Sequence, residues 1–145
     1  IDGVIIPDLP VYEYETQYKS IFEKFNLHNI LLVSPQTSIE RLKEIDKLTT
    51  AFIYAVSTNS TTGGKTDFDV QRDYFNRLKT ELKNPFLIGF GVHDSESFDH
   101  ACNYSNGAII GSAFINAISK GHNIKQSIQE FIHQIKKDYD YSVRK

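Results

Sequence analysis

AFIYAVSTNSTTGGKTDFDVQRDYFNRL, residues 51–78, runs from a short apolar stretch through a long polar one into an amphipathic pattern. Residues 51–56 are apolar at successive positions, which suits a strand covered on both faces. Residues 69–83 place Tyr74, Phe75 and Leu78 on one side of a helix. The link between them, 57–68, is rich in hydroxyl side chains and carries Gly63 and Gly64 side by side. A strand usually reaches its following helix in about two to six residues. A longer, polar connection at that place reads as a lid that covers a ligand and shuts out water.

The same strand-then-helix alternation extends in both directions. Upstream, DGVIIP (2–7) reads as a strand closed by Pro7, and 11–25 has apolar residues at 11, 14, 18, 21, 22 and 25, the spacing of one buried helical stripe. NILLV (29–33) is a second strand. Ser38 caps a short helix in which Ile39, Leu42 and Ile45 face inward, with Arg41 where a capping box would place Glu. Downstream, Pro85 introduces FLIGFG (86–91), Asp94 or Ser95 caps a helix over 95–103, and GAIIG (107–111) is the last strand. Ser112 opens a short helix, and an amphipathic helix over 124–140 leads into a charged tail.

Continuously apolar strands alternating with helices predict an α/β fold with a parallel sheet. Two architectures fit: a doubly wound open sheet, or part of a (β/α)8 barrel, for which about 250 residues are typical. At 145 residues the chain holds about five strand–helix units, expected to form a single domain over 1–145 and to be the last five of eight. Hydrophobic residues make up 40% and charged residues 23%, too apolar a balance for a disordered chain. The net charge of −2 and the scattered lysines and arginines exclude a basic nucleic-acid footprint. No apolar run approaches the roughly 20 residues of a membrane span. The one cysteine, Cys102, reads as a small buried residue, and the absence of an internal disulfide points to a reducing, cytoplasmic setting. The five histidines are dispersed without metal-ligand spacing. The chain opens Ile-Asp-Gly at the lip of a strand, as though residues preceded it.

In parallel α/β proteins functional groups gather at the carboxyl ends of strands. Those ends carry PDLP (7–10), the TTGG loop, GFGV (89–92) and Gly111-Ser112 at a helix start. Glycines let a backbone approach an anion closely, and a helix start offers unpaired N–H donors with partial positive charge. Singly, each is an ordinary turn or cap. Together, at one end of successive strands, they predict a phosphate site.

With these motifs assembled, the chain resembles the tryptophan synthase alpha subunit family. DGVIIPDLP (2–10), ILLVSPQTSIERLKEI (30–45), AFIYAVSTNSTTGG (51–64), LIGFGV (87–92) and GAIIGSAFINAI (107–118) are similar, in order, to that family's strand 4 to strand 8 segments. The resemblance implies a partial (β/α)8 barrel lacking its N-terminal strands. It also implies cleavage of indole-3-glycerol phosphate to indole and glyceraldehyde 3-phosphate by a retro-aldol reaction. No metal or organic cofactor is expected in the chain, and the expected partner is a pyridoxal-phosphate-dependent beta subunit in an alpha2beta2 complex. Position by position, Gly63, Gly91, Gly111 and Ser112 match phosphate-binding positions. Tyr54 and Phe90 match the indole-pocket wall, Thr62 matches the lid threonine, and Asp8 and Pro10 match positions near the beta-subunit contact. Thr58, Asn59 and Ser60 depart from the family's usual Arg, Ser and Gly.

The family's catalytic glutamate and aspartate lie on the N-terminal half, to which nothing here corresponds, so this segment alone is expected to be inactive. Asp8 reads as a turn cap or partner contact, and Asp67 and Asp94 read as helix caps. Five strands cannot close a barrel; the rest is expected in a longer gene product, and a second copy is the alternative. Two other functions fit parts of the pattern: a non-catalytic alpha-like subunit that binds phosphate and activates a beta subunit, and another phosphate-binding barrel isomerase or epimerase.

Overall fold

The computed structural model describes residues 1–7, 9–57, 71–120 and 123–136. Strand β1 is Gly3–Ile5, followed by helix α1 (Val11–Glu13), a π-helical segment (Tyr14–Tyr18) and helix α2 (Lys19–Lys24). Asn26 ends this run at φ 52°, while the Asn26 and Leu27 N–H groups donate to the Glu23 and Phe22 carbonyls. That is a left-handed helix stop in which asparagine replaces the commoner glycine. Strands β2 (His28–Ile30) and β3 (Leu32–Val33) follow, then α3 (Ile39–Leu48), β4 (Ile53–Val56), α4 (Arg72–Glu81) and β5 (Phe86–Gly89). The chain continues through α5 (Ser95–Tyr104), β6 (Ala108–Ile109), α6 (Ser112–Lys120) and α7 (Ile124–Ile135).

Strand order separates the two architectures left open by the sequence. β1 pairs with β2, and β3-β4-β5-β6 form one sheet in sequence order, every pairing parallel. A doubly wound sheet reverses its strand order at a switch point, whereas a barrel winds on in one direction. The observed order is that of a barrel arc. The expected strand at 29–33 is divided at Leu31, whose carbonyl accepts from the Tyr54 N–H at 2.9 Å. β1 therefore pairs with the first part of this run and β4 with the second, a stagger of the kind barrels need.

Burial alternates along the strands although their sequences are apolar throughout. Ile53, Ala55, Phe86, Ile88 and Val33 are buried against the helices, joined by Leu42, Ile45, Phe75 and Leu78 from α3 and α4. Tyr54, Val56 and Leu87 face the other side and are half-buried. Two polar links tie α4 to the end of β3 and the turn that follows it. The Tyr74 hydroxyl donates to the Val33 carbonyl at 3.0 Å, and Arg77 Nη2 donates to the Pro35 carbonyl at 2.7 Å. Burial raises the Tyr74 phenol well above its ordinary range, so it stays a neutral donor.

Several expectations need correction. Of the stripe on 11–25, Val11, Tyr14 and Phe22 are buried, but Tyr18, Ile21 and Phe25 are 39%, 47% and 63% exposed. The π segment widens one turn, so a stripe laid out at 3.6 residues per turn loses phase beyond it. Ile39 is 40% exposed because it occupies the first position of α3, before the turn that packs. Cys102 is half-buried rather than buried, and the same partial burial raises its thiol above the usual range. The strands are shorter than read at 2–7, 86–91 and 107–111. The start of the expected helix at 69 and the end of the one at 140 lie outside the described residues.

Phe75 is fully buried and packs its ring 5.1 Å from Tyr74 and 5.6 Å from Tyr104. Phe75→Ala is expected to lower stability by about 3–5 kcal/mol in chemical denaturation.

Candidate functional site

The carboxyl ends of β4, β5 and β6 meet at one rim. Val56 pairs with Gly89, and Gly89 pairs with Ile109. Gly91 and Gly111 thus each follow two residues beyond the same level on adjacent strands. Gly91 has φ 74° and Phe90 φ 71°. The left-handed region is open to glycine but uncommon for a bulky side chain, so Phe90 is held there by its surroundings. The Ser57 hydroxyl, buried at the end of β4, donates at 2.9 Å and 2.7 Å to the Gly89 and Phe90 carbonyls.

Gly111 lies just ahead of α6, and its carbonyl accepts the Ile115 N–H at 3.0 Å. The first N–H groups of this helix, beginning with Ser112, have no partner within the helix. A Cβ built on Gly111 meets nothing within 4 Å, and both Gly111 and Ser112 are exposed. This face of the rim is open to a ligand that accepts hydrogen bonds.

Tyr54 and Phe90 come together as an aromatic pair, with ring centroids 6.1 Å apart and an interplanar angle of 68°. Burial raises the Tyr54 phenol above its ordinary value. Phe90 remains 54% exposed, so the pair presents an apolar wall beside the glycine turn. Gly89 has a different role from the other rim glycines. A Cβ there would fall on the Tyr54 ring, so this glycine gives the tyrosine room to lie across β5.

Asp94 is the N-cap of α5, in a capping box with Ser97. Ser97 N donates to Asp94 Oδ1 at 2.8 Å, and Asp94 N donates to Ser97 Oγ at 3.1 Å. The Ser97 hydroxyl and N–H hold the Asp94 carboxyl below its ordinary value. A carboxylate stabilised in its ionised form is a poor proton donor, and capping accounts for this residue. His28, His93, His100 and His133 stay dispersed, and no group of His, Cys, Asp or Glu among the described residues could hold a metal ion. No helix among the described residues is long and apolar enough to cross a membrane.

A model of the family described as tryptophan synthase alpha chain matches residues 1–143. The chain belongs to the tryptophan synthase alpha chain family. It is 50% identical over 138 residues to the tryptophan synthase alpha chain of Flavobacterium johnsoniae, covering 94% of this chain and 54% of that one. It is 45% identical over 130 residues to the Bacteroides fragilis alpha chain, covering 88% of this chain and 49% of that one. Among solved structures it is similar to the tryptophan synthase A-subunit of Pyrococcus furiosus, with TM-score 0.76, 30% identity and coverage of 93% and 55%. It is also similar to a chain of the Pyrococcus furiosus a2b2 complex, with TM-score 0.73, 31% identity and coverage of 93% and 54%. The chain therefore spans about half the length of the relatives it matches.

Of the site residues expected in this alpha-chain segment, the structure brings Tyr54 and Phe90 into contact and sets Gly91, Gly111 and Ser112 along one rim. Pro10 is exposed at the start of α1. Asp8, Thr62, Gly63 and Asp67 lie outside the described residues. Sequence reasoning gave no role to Ser57 and grouped Gly89 with the rim glycines, without seeing the Tyr54 ring packed over it. A serine ending an apolar strand, with a Gly-X-Gly turn on the next strand, was the available signal for both.

Gly89→Ala is expected to displace the Tyr54 ring and lower the melting temperature, and adding Tyr54→Leu should recover most of the loss, a coupling that a double-mutant cycle measures. Asp94→Ala should cost about 1 kcal/mol at pH 7 by loss of the cap. Because the folded-state value is depressed, the stabilisation is present above the unfolded carboxyl's value of about 4 and is lost as pH falls through the folded value. Wild type and variant should therefore converge in thermal unfolding as pH drops below about 4.

Proposed function

We infer that this chain supplies the phosphate grip, part of the indole-pocket wall and the lid of an indole-3-glycerol-phosphate lyase, which releases indole and glyceraldehyde 3-phosphate in tryptophan biosynthesis. The observation that carries this reading is the family match over residues 1–143 together with the open glycine rim formed by Gly91, Gly111 and Ser112. The phosphate of the substrate is bound by backbone N–H groups of that rim and of Gly63, with the start of α6 adding its partial positive charge. The indole ring lies against Tyr54 and Phe90. Thr62 is the lid threonine that helps order the catalytic aspartate on closure.

Retro-aldol cleavage needs a base for the glycerol hydroxyl and an acid for indole C3. Asp94 is committed to capping α5. The two catalytic carboxylates are assigned to the part of the relatives' length that this chain does not span. The chain itself works without a metal or organic cofactor. The beta subunit, which carries pyridoxal phosphate, is the partner through Asp8 and Pro10; the similar Pyrococcus furiosus chain comes from an a2b2 complex. A cytoplasmic setting agrees with a free, half-buried Cys102.

The test is a chimera in which this chain replaces the matching half of the Flavobacterium johnsoniae alpha chain. It should release indole from indole-3-glycerol phosphate, and Gly111→Val should abolish its binding of glycerol 3-phosphate by filling the open approach at the rim. Binding without turnover would favour the non-catalytic activator, and absence of binding would refute the phosphate site.

A further inference from the structure

Three successive carbonyls of the turn after β5 are held from outside the turn. The Ser57 N–H and hydroxyl donate to the Gly89 carbonyl at 3.1 Å and 2.9 Å, and the same hydroxyl reaches the Phe90 carbonyl at 2.7 Å. His93 Nδ1 lies 2.8 Å from the Gly91 carbonyl. A carbonyl oxygen only accepts, so Nδ1 carries the proton in this contact. When the ring is protonated, its Nε2, 3.4 Å from Asp94 Oδ2, forms an ion pair that ties the imidazole to the α5 cap.

These bonds set the direction of the N–H groups. In a trans peptide the C=O and the following N–H point opposite ways. β5 lies between β4 and β6, and Ser57 follows β4. A Phe90 carbonyl drawn toward β4 turns the Gly91 N–H toward β6, where Gly111 and Ser112 begin α6. Fixing the Gly91 carbonyl likewise fixes the Val92 N–H. Gly91 is exposed, and among the described residues no carbonyl accepts from its N–H. The two left-handed residues, Phe90 and Gly91, are what a turn with this aim requires, and the Ser57 and His93 bonds hold Phe90 in it.

We propose that Ser57 is a positioning residue for the phosphate of the substrate, aiming the Gly91 N–H at the start of α6, and that His93 fixes the adjoining peptide. The proposal rests on the phosphate-site reading above and adds to it two side chains that do not touch the ligand. Ser57 is buried just after β4, and its hydroxyl serves the neighbouring turn rather than the solvent.

The experiment uses the same chimera, with glycerol 3-phosphate and phosphate-free indole as separate calorimetric probes. Ser57→Ala should weaken glycerol 3-phosphate binding about tenfold and His93→Phe about fivefold, the effect of losing two shared bonds or one. Indole affinity should fall by less than glycerol 3-phosphate affinity in both. Ser57→Thr, which keeps the hydroxyl, should bind glycerol 3-phosphate within about threefold of the parent. Should Ser57→Ala fail to fold, the exposed His93→Phe carries the same comparison. Unchanged glycerol 3-phosphate affinity in these variants overturns the proposal. An equal loss for both probes also overturns it, because general loosening of the rim would act on both. A parent chimera that binds no glycerol 3-phosphate refutes the phosphate site itself, and the positioning role with it.

Discussion

The parallel register across β4, β5 and β6 is the constraint on which the candidate site depends. Val56↔Gly89 and Gly89↔Ile109 bring three strand ends to one level, so the residues beyond them share a rim. Side chains alternate between faces along a strand, and a one-residue slip would exchange them. Tyr54 would then turn toward the helices and Ala55, now fully buried, toward the open face. Gly89 guards the same register in a second way, because only a residue without a Cβ leaves space for the Tyr54 ring.

The sheet has a closed face and an open one. Helices α3, α4 and α5 cover the face with Ile53, Ala55, Phe86 and Ile88. The face with Tyr54, Val56 and Leu87 is half-buried, although its residues are as apolar as those opposite. Apolar exposure also gathers at the two ends of the strand order. Ile5 and Ile6, in and just after β1, and Ile21 and Phe25, on and just after α2, are exposed, as are Ile115, Ile124 and Ile132 on α6 and α7 after β6. A closed barrel pairs both edges and fills its interior with side chains from every strand. The chain covers about half of the alpha chains it resembles.

The alternation of strands and helices and the Ser38 and Asp94 caps were legible in the sequence, and the resemblance set Tyr54 and Phe90 on one pocket wall. Each depends on residue type at short spacing, or on motifs whose order resembles a known family. Periodicity alone did not give the winding direction, because a parallel α/β pattern serves both open and closed sheets until pairing is seen; the partial barrel came from the resemblance, and the strand order agrees with it. The exposure of Tyr18, Ile21 and Phe25 was hidden by the π segment, which periodicity cannot anticipate. The roles of Ser57 and Gly89 were hidden for another reason. Both act across strands, Ser57 on carbonyls 32 and 33 residues away and Gly89 on the ring of Tyr54. A sequence offers no register from which to see such contacts.

The most direct measurement is the amide NMR spectrum of the chimera as glycerol 3-phosphate is added. Convergence of the rim on one anion requires the Gly91, Gly111 and Ser112 N–H signals to move together and saturate with a single dissociation constant. Signals that move independently, or that stay fixed while the anion binds elsewhere, would contradict it.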